Sequence, residues 1–209
     1  MINKPFLSNR LLQFLVGWHI LLWIITAIHP LYPRDWLLEN ILVFAYSILL
    51  AVSYRRFQFS NLSYALFVVF ISLHLWGAHY TYAETPFGFW MQDWFGFERN
   101  HYDRLVHFSF GLLLAYPFRE ILIREARVVK SWSYFLAVVG IMAFSCFYEV
   151  LEGVAAMVVS PELGTAYLGT QGDEWDAQKD SFLAFLGATI AMLLNRAYIK
   201  ATGRDWLLS

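Results

Sequence analysis

The chain alternates between long apolar stretches and short polar connections, and six of these stretches are long enough to cross a bilayer as helices. A spanning helix needs about 20 mostly apolar residues, because each residue adds roughly 1.5 Å and the hydrocarbon core is about 30 Å thick. The stretches cover residues 11–28, 36–53, 62–79, 104–123, 132–158 and 176–199. The pattern predicts an all-α polytopic membrane protein with six transmembrane helices, in which residues 1–209 form a single integral membrane domain.

The connections and the small residues within the spans refine this prediction. Pro30 and Pro33 separate the first two stretches, since proline cannot continue a helix. Residues 81–100 are rich in aromatic residues and glycine, which favours an interfacial or re-entrant segment between the third and fourth spans. The first stretch lacks a small-residue cleavage site, so we expect a retained anchor rather than a signal peptide. Gly111 and Gly187 lie within spans, where they favour close helix packing.

Composition supports the membrane assignment. Hydrophobic residues make up 59% of the chain and charged residues 15%, against about 45–50% and about 25% in soluble domains. The mean hydropathy is +0.49, so membrane lipid must solvate apolar surface that one core cannot hide. The net charge of -1, without a long basic run, excludes nucleic acid as a partner, because phosphate binding needs clustered Lys and Arg.

Basic residues are distributed unevenly about the predicted spans. With six spans, the two termini and the second and fourth connections share one side, and this side holds all but four of the 15 Lys and Arg residues. The four on the other side are Arg34, Arg99, Arg104 and Lys179. Because cytoplasmic segments carry the excess of Lys and Arg, we expect both termini to be cytoplasmic.

Acidic residues show the opposite bias. Only Glu120, Glu125 and Asp205 are assigned to the cytoplasmic side, and the other Asp and Glu residues lie outside or at the outer ends of spans. Acidic residues contribute little to topology, so the bias needs another cause. Cation binding on the outer face would supply one.

Two predicted helices bring histidines and a carboxylate to the outer face. The third span runs outward and places His74 about a turn and a half below its outer end. The fourth span runs inward from the same rim, and its i,i+4 spacing puts Asp103 and His107 on one helical face. These two side chains can share one ligand.

The fifth and sixth spans add carboxylates at the same depth. Glu149 and Glu152 have i,i+3 spacing near the outer end of the fifth span, and Asp176 and Asp180 have i,i+4 spacing at the start of the sixth. Unpaired charges are costly inside hydrocarbon, so these groups must face the bundle interior. Four helices thus offer His and carboxylate groups at one depth.

The surplus of carboxylates predicts a bound cation. Arg104 and Lys179 can offset two of the carboxylates, and the remainder must be protonated, solvated or bound to a cation. Imidazole together with carboxylate suits zinc, iron or manganese, whereas an all-oxygen site favours magnesium or calcium. We therefore expect a divalent metal ion, zinc, iron or manganese rather than magnesium. The candidate ligands are His74, Asp103, His107, Glu149 and Asp180.

A metal ion at this position predicts a metal-dependent hydrolase that acts on a lipid or lipid-linked substrate from the outer, periplasmic face. Such an ion polarises a phosphoryl or acyl oxygen and acidifies its water, and a nearby carboxylate accepts the proton. Glu152 or Asp176 is the candidate base, and the planar guanidinium of Arg104 can hold a substrate phosphate. The sequence contains no serine elbow and no Walker loop, which excludes those mechanisms.

Three other interpretations and the oligomeric state remain open at the level of sequence. The charged groups can form interhelical ion pairs that only fix the bundle. Intramembrane His and Asp groups also serve ion- or proton-coupled transporters, which usually place them near the midplane on broken helices. The third alternative is a non-catalytic envelope factor.

Segments 103–108, 148–152 and 173–180 resemble signature blocks of the YjdF-like bacterial inner-membrane proteins, a family of unknown function. The resemblance extends over nearly the whole chain. It implies a multi-pass protein of the bacterial inner membrane and supports the position of the polar cluster, without implying a reaction.

A looser similarity connects the chain with VanZ-like proteins. In that family a D-K-x-x-H-F block opens one span and a D-x-x-x-N-x-x-G block opens the last. Asp103, His107 and Phe108 fit the first block, and Asp180 and Gly187 fit the second. Arginine replaces the lysine of the first block, and alanine replaces the asparagine of the second. VanZ-like proteins are associated with glycopeptide resistance, so the similarity implies a place in the outer envelope.

Overall fold

The computed structural model describes residues 5–205 and 207, and within these residues the chain forms eight α-helices and no strand. Six of them are long and apolar enough to cross a membrane, which confirms the predicted fold class, and their bounds differ from the predicted ones by at most three residues. The helices are α1 (Arg10–Ala27), α2 (Pro33–Ser53), α3 (Asn61–Tyr80), α4 (Pro86–Phe95), α5 (Tyr102–Arg124), α6 (Lys130–Val158), α7 (Pro161–Leu168) and α8 (Asp176–Thr202).

Segment 81–100, predicted as an interfacial or re-entrant segment rather than a full span, contains the short helix α4. At 10 residues, α4 is about 15 Å long and too short to span the bilayer. Its first turn contains Pro86, and it ends at Gly96, whose φ of 67° is in the left-handed region that glycine adopts without strain. The exposed rings of Trp90, Trp94 and Phe95 suit an interfacial position.

Helix α7 is a second short helix, which the sequence pattern did not predict. It has eight residues and begins at Pro161, and the Ser160 side chain accepts a hydrogen bond from the Leu163 amide at its start. It packs against α2 and α6. Since α7 has no long apolar run, hydrophobic periodicity could not separate it from a loop.

The six long helices alternate in direction, so α2, α5 and α8 begin at the end of the bundle where α1, α3 and α6 terminate. We call this the acidic end, because it holds the carboxylates of the predicted outer face. Contacts across it include the Leu31 amide, which donates to the His79 carbonyl at 2.9 Å, and the Thr81 hydroxyl, which donates to Asp35.

Helices α5 and α8 form the most extensive contact in the bundle. A Cβ at Gly111 would lie 1.9 Å from the Ala184 carbonyl oxygen, and a Cβ at Gly187 would lie 2.2 Å from the Phe108 carbonyl oxygen. Ala184 and Ala188 are fully buried in the same seam. The two glycines therefore allow the backbones to touch, which confirms their predicted packing role.

The opposite end of the bundle contains two buried charged residues that are fully paired. Arg119 donates to Asp205 at 2.8 Å and to the Ser133 hydroxyl at 3.1 Å. Glu120 accepts from the Ser60 amide at 2.8 Å. Because these bonds join α5 to the loop before α3 and to the C-terminal segment, they position chain segments rather than form a binding site.

Candidate functional site

The close packing of α5 and α8 brings three candidate ligands together. Asp103, His107 and Asp180 each offer a ligand atom, and these atoms all lie within 4.8 Å of one another. His107 and Asp180 are buried, with 8% and 1% of their surface exposed. The i,i+4 pair on α5 and Asp180 near the start of α8 therefore lie together, as the sequence predicted.

Glu149 on α6 adds a fourth candidate ligand beside His107. The His107 Nε2 atom lies 3.5 Å from Asp103 Oδ1 and 3.5 Å from Glu149 Oε1. Ligands of a tetrahedral ion, each about 2.0–2.2 Å from the metal, lie about 3.3–3.6 Å apart, so these separations suit a shared ion. The other ring nitrogen of His107, Nδ1, is 3.5 Å from the Ser145 hydroxyl.

Two oxygen atoms around this group lack a partner. Within the described part of the chain, Asp180 Oδ1 and Glu149 Oε1 are buried and accept no hydrogen bond. Buried polar atoms are normally hydrogen-bonded, so such atoms call for an explanation. Their chemistry fits a cation, because an ionised carboxylate oxygen only accepts hydrogen bonds or binds metal.

The structure does not bring His74 into this group. Its Nε2–H donates to the Glu39 carbonyl at 3.1 Å, and its Nδ1 accepts from the Tyr82 hydroxyl at 2.6 Å. Both ring nitrogens are thus engaged in a neighbouring cluster formed by α2 and the segment after α3. The depth of His74 along α3 was estimated from the sequence, but its direction around the helix axis depends on packing that depth alone does not reveal.

Arg104 and Asp176 lie in an ion-pair network beside the candidate ligands. Arg104 donates to Asp173 and lies 3.5 Å from Asp176. Arg99, which the sequence analysis did not single out, donates to Asp176 at 2.7 Å and to the Thr170 carbonyl at 2.7 Å. The negative charge of Asp176 is therefore balanced by two cationic side chains. One of them, Arg99, lies on a loop, where helical periodicity could not indicate its position.

Glu152 lies one helical turn beyond Glu149 on α6 and borders a large cavity. The cavity has a volume of about 730 Å³ and lies between α2, α3, α5 and α6. Asp103 and His107 reach its wall at the acidic end, and the rest of the wall is mainly apolar. Its polar lining consists of Glu39, Tyr46, Ser53, His74, Tyr82, Asp103, His107, Glu125, Ser145, Tyr148, Glu152 and Tyr167.

Several of these lining residues were not predicted as site residues. Glu39 forms an i,i+4 pair with Asp35 at the start of α2, and the rule that found the other pairs could have found it. Tyr82 and Tyr167 come from short segments without a pattern. Burial raises the pKa of both phenols above the ordinary value, so both remain neutral hydrogen-bond donors at the cavity.

The open side of the cavity lies between α2 and α6. Among the large hydrophobic residues of the lining, the largest exposed fractions are those of Leu49 on α2, at 66%, and Phe147 and Phe144 on α6, at 58% and 54%. Helix α2 makes its main contacts with α3 and α7, so no extensive contact joins it to α6. The acidic end of this gap is bridged by α7.

Comparison with known proteins identifies the family. The family described as "Predicted membrane protein (DUF2238)" matches residues 11–201. The chain is 37% identical over 191 residues to the inner membrane protein YjdF of Escherichia coli (strain K12), which covers 90% of this chain and 91% of the relative. No solved structure matches the chain significantly. These findings confirm the YjdF-like resemblance and an inner-membrane, multi-pass location, and the VanZ-like similarity stays an expectation. The chain belongs to the DUF2238 family of membrane proteins.

Proposed function

We propose that the protein is a divalent-metal-dependent hydrolase of a lipid or lipid-linked substrate. The observation that carries the proposal is the convergence of ligand atoms from Asp103, His107 and Asp180 within 4.8 Å, beside a cavity of about 730 Å³ that Asp103 and His107 line. Most ligand sites are largely apolar clefts with a few convergent polar groups, and this cavity has that character.

The ligand set favours zinc, iron or manganese over magnesium. One imidazole with carboxylates is a mixed nitrogen and oxygen set, whereas magnesium prefers oxygen ligands and retained waters. Glu149 lies outside the group of three within 4.8 Å but is a further candidate ligand, because its Oε1 atom accepts no hydrogen bond and lies 3.5 Å from His107 Nε2. Ser145 next to Nδ1 is placed to orient the imidazole ring, as second partners of metal-bound histidines do.

A bound divalent ion supplies Lewis acidity, which polarises a phosphoryl or acyl oxygen and acidifies water. Glu152 is our preferred base, since it borders the cavity one helical turn from Glu149 and an ionised carboxylate there could accept a proton. Asp176, the other candidate base, accepts from Arg99 at 2.7 Å and is better placed to position the start of α8. Arg104 is paired with Asp173, and a bound substrate phosphate would replace Asp173 as the partner of the guanidinium group.

An activity screen tests the proposal. Purified protein is given phospholipids and lipid-linked phosphates with added zinc, manganese or magnesium, and wild type is compared with Glu152→Gln. We expect a metal-dependent product and a loss of about 10²–10⁴ in rate for the variant, because glutamine cannot accept the proton. Glu162→Gln on the exposed surface of α7 is the matched control and should retain activity.

Two outcomes would contradict the proposal. No metal-dependent product across the panel would remove the hydrolase function. Turnover at the wild-type rate by Glu152→Gln would remove Glu152 from the reaction and leave the metal site as the remaining claim.

A transporter is the second candidate, and the depth of the cavity favours it. The lining extends from Glu39 and Asp103 at the acidic end to Phe57 and Glu125 near the opposite end. Intramembrane carboxylates along such a path serve as relay sites in proton-coupled carriers. Proteoliposomes that acidify in response to a substrate gradient, without any hydrolysis product, would favour this function over the first.

A further inference from the structure

We infer that the cavity binds one hydrocarbon chain of a membrane lipid, which enters sideways from the bilayer between α2 and α6 while the lipid head group lies at the acidic end. This inference names how the substrate of the proposed hydrolase is held, and it rests on that function only for the fate of the lipid. The binding itself depends on the cavity and its opening.

The opening faces hydrocarbon rather than water. The cavity walls formed by α3 and α5 are closed, with Ile71 at 1% and Val106 at 4% exposure. The exposed lining side chains Phe144 and Phe147, in the middle of α6, and Leu49, in the last turns of α2, flank the gap within these spanning helices. A gap in that position is bordered by lipid tails.

A lipid chain is the occupant that this wall chemistry accepts. Along the apolar part of the wall, water would lack the two to four polar partners that it needs, and an empty cavity would forfeit dispersion contacts there. A hydrocarbon chain supplies those contacts and is already present at the opening. The cavity volume of about 730 Å³ lies within the usual range of ligand pockets.

The length of the lining fits a chain from one leaflet. From Asp103 to Ile121, α5 borders the cavity over about 27 Å, at roughly 1.5 Å per residue, and the lining continues to Glu125. Half of a hydrocarbon core of about 30 Å is only about 15 Å. A chain whose head group sits at the acidic end therefore fits lengthwise along α5.

An unpartnered oxygen marks the position of the head group. Within the described residues, Glu39 Oε2 accepts no hydrogen bond, although only 3% of the Glu39 surface is exposed. It lies 3.8 Å from His74 Nε2, which already donates to the Glu39 carbonyl. Glu39 lines the cavity, and its buried, unbonded oxygen calls for a donor, such as the amine or hydroxyl group of a phospholipid head group.

Photo-crosslinking in nanodiscs tests the inference. The probe is phosphatidylethanolamine with a diazirine in its acyl chain, present in trace amounts, and adducts are assigned by peptide mass spectrometry. We expect adducts on cavity residues of α5, such as the buried Val106 and the half-buried Phe110, in addition to lipid-facing residues such as Leu193. The same probe with a phosphatidylcholine head group, which has no hydrogen-bond donor, should label the cavity more weakly.

Matched variants separate the cavity from the general lipid surface. Ala45→Trp places an indole in the cavity, whereas Ala51→Trp puts the same ring on an exposed part of α2 that does not line it. We expect Ala45→Trp to lower the adduct yield on Val106 at least several-fold and Ala51→Trp to leave it unchanged. If Ala45→Trp does not fold, Leu49→Trp at the opening serves as the second blocking variant.

The outcomes distinguish this inference from the proposed function. Adducts confined to outward-facing residues, or an unchanged yield on Val106 in the folded blocking variants, would overturn it even if the protein hydrolyses lipid. A second copy of the chain covering the gap would also exclude the probe and overturn it. Cavity adducts that persist after metal removal with EDTA, without any turnover, would support lipid binding while the hydrolase proposal fails.

Discussion

Asp173, just before α8, is surrounded by cationic side chains. It accepts from Lys179 at 2.6 and 2.8 Å, from the Trp175 amide at 3.1 Å and from Arg104. These interactions, with the Lys179 hydrogen bond first, lower the pKa of Asp173 from 3.8 to about 2. The carboxylate therefore stays ionised in the folded protein over a range in which the free side chain takes up a proton.

This difference in pKa predicts acid sensitivity of the segment before α8. The ion pairs stabilise the segment fully above about pH 4, and their contribution is lost as the pH falls from about 4 to about 2. Protonation of Asp173 then favours the conformation of the segment in which these ion pairs are broken. Amide hydrogen exchange of peptides covering residues 169–176 measures the effect. Lys179→Met should raise the rate of amide exchange in this segment at pH 6. The further opening of the segment between about pH 4 and about pH 2 should then be smaller in Lys179→Met than in wild type.

Lys200→Met, at the opposite end of α8, is the matched control and should exchange as wild type does in this segment. Equal acid sensitivity in Lys179→Met and wild type would contradict the role assigned to the Lys179 pair.

Side-chain spacing predicted part of the cluster from the sequence. The pair Asp103 and His107 and the residue Asp180 meet because i,i+4 spacing fixes which side chains share a helix face. His74 faces a different cluster, and Arg99 lies on a loop, so neither position follows from helical periodicity. Direction around a helix axis and loop geometry depend on tertiary packing, which spacing along one helix does not encode.

The seam between α5 and α8 holds the site together. Asp103 and His107 lie on α5 and Asp180 lies on α8, so the distance between ligands is set by how closely these two helices approach. That approach depends on Gly111 and Gly187, which leave no room for a Cβ.

Gly111→Ala should therefore loosen both the bundle and the site. A methyl group 1.9 Å from the Ala184 carbonyl forces the helices apart, and overpacking of this kind typically costs about 1–3 kcal/mol. Thermal unfolding in detergent, followed by tryptophan fluorescence, should show a lower midpoint. Gly17→Ala on α1, where nothing lies within 4 Å, is the matched control and should unfold at the wild-type midpoint or slightly above it.

The same midpoint for Gly111→Ala and wild type would show that the α5 and α8 backbones are further apart than described. A lower midpoint for both glycine variants would show a general effect of the substitution instead.

Element lengths were predicted from hydrophobicity for the long helices but not for the short ones. The six spans are identified by apolar runs that only a membrane helix requires. The eight residues of α7 depend on one capping serine, one proline and contacts with α2 and α6, which form only after the bundle assembles. Short helices of this kind are stabilised by packing rather than by intrinsic propensity.

At the scale of the whole molecule, the uneven basic charge predicts orientation. Among the residues that the structure describes, the acidic end carries only Arg34, Arg99, Arg104 and Lys179 as basic residues, and we expect it to face the periplasm. Fusion of alkaline phosphatase to the C-terminus should give an inactive reporter, and a C-terminal green fluorescent protein should be fluorescent. An active phosphatase with a dark fluorescent counterpart would place the acidic end, and the candidate site, in the cytoplasm.

The central claim is that Asp103, His107, Glu149 and Asp180 hold a divalent ion at the acidic end. The ligands come from three helices, so the ion would also tie α5, α6 and α8 together. Substitution of one ligand should lower the ion content before it affects the fold, because the main hydrophobic cluster of the bundle does not include these four residues.

Elemental analysis of the intact, detergent-purified protein without a polyhistidine tag tests this claim most directly. The account predicts about one equivalent of zinc, iron or manganese per chain, reduced to a small fraction in folded Asp180→Asn and His107→Ala. His19→Ala is the matched control and should retain the ion, since His19 Nε2 lies 3.1 Å from Ser47 Oγ between α1 and α2. Folded wild-type protein that neither retains nor takes up any of the three metals, or ligand variants that bind as much as wild type, would contradict it.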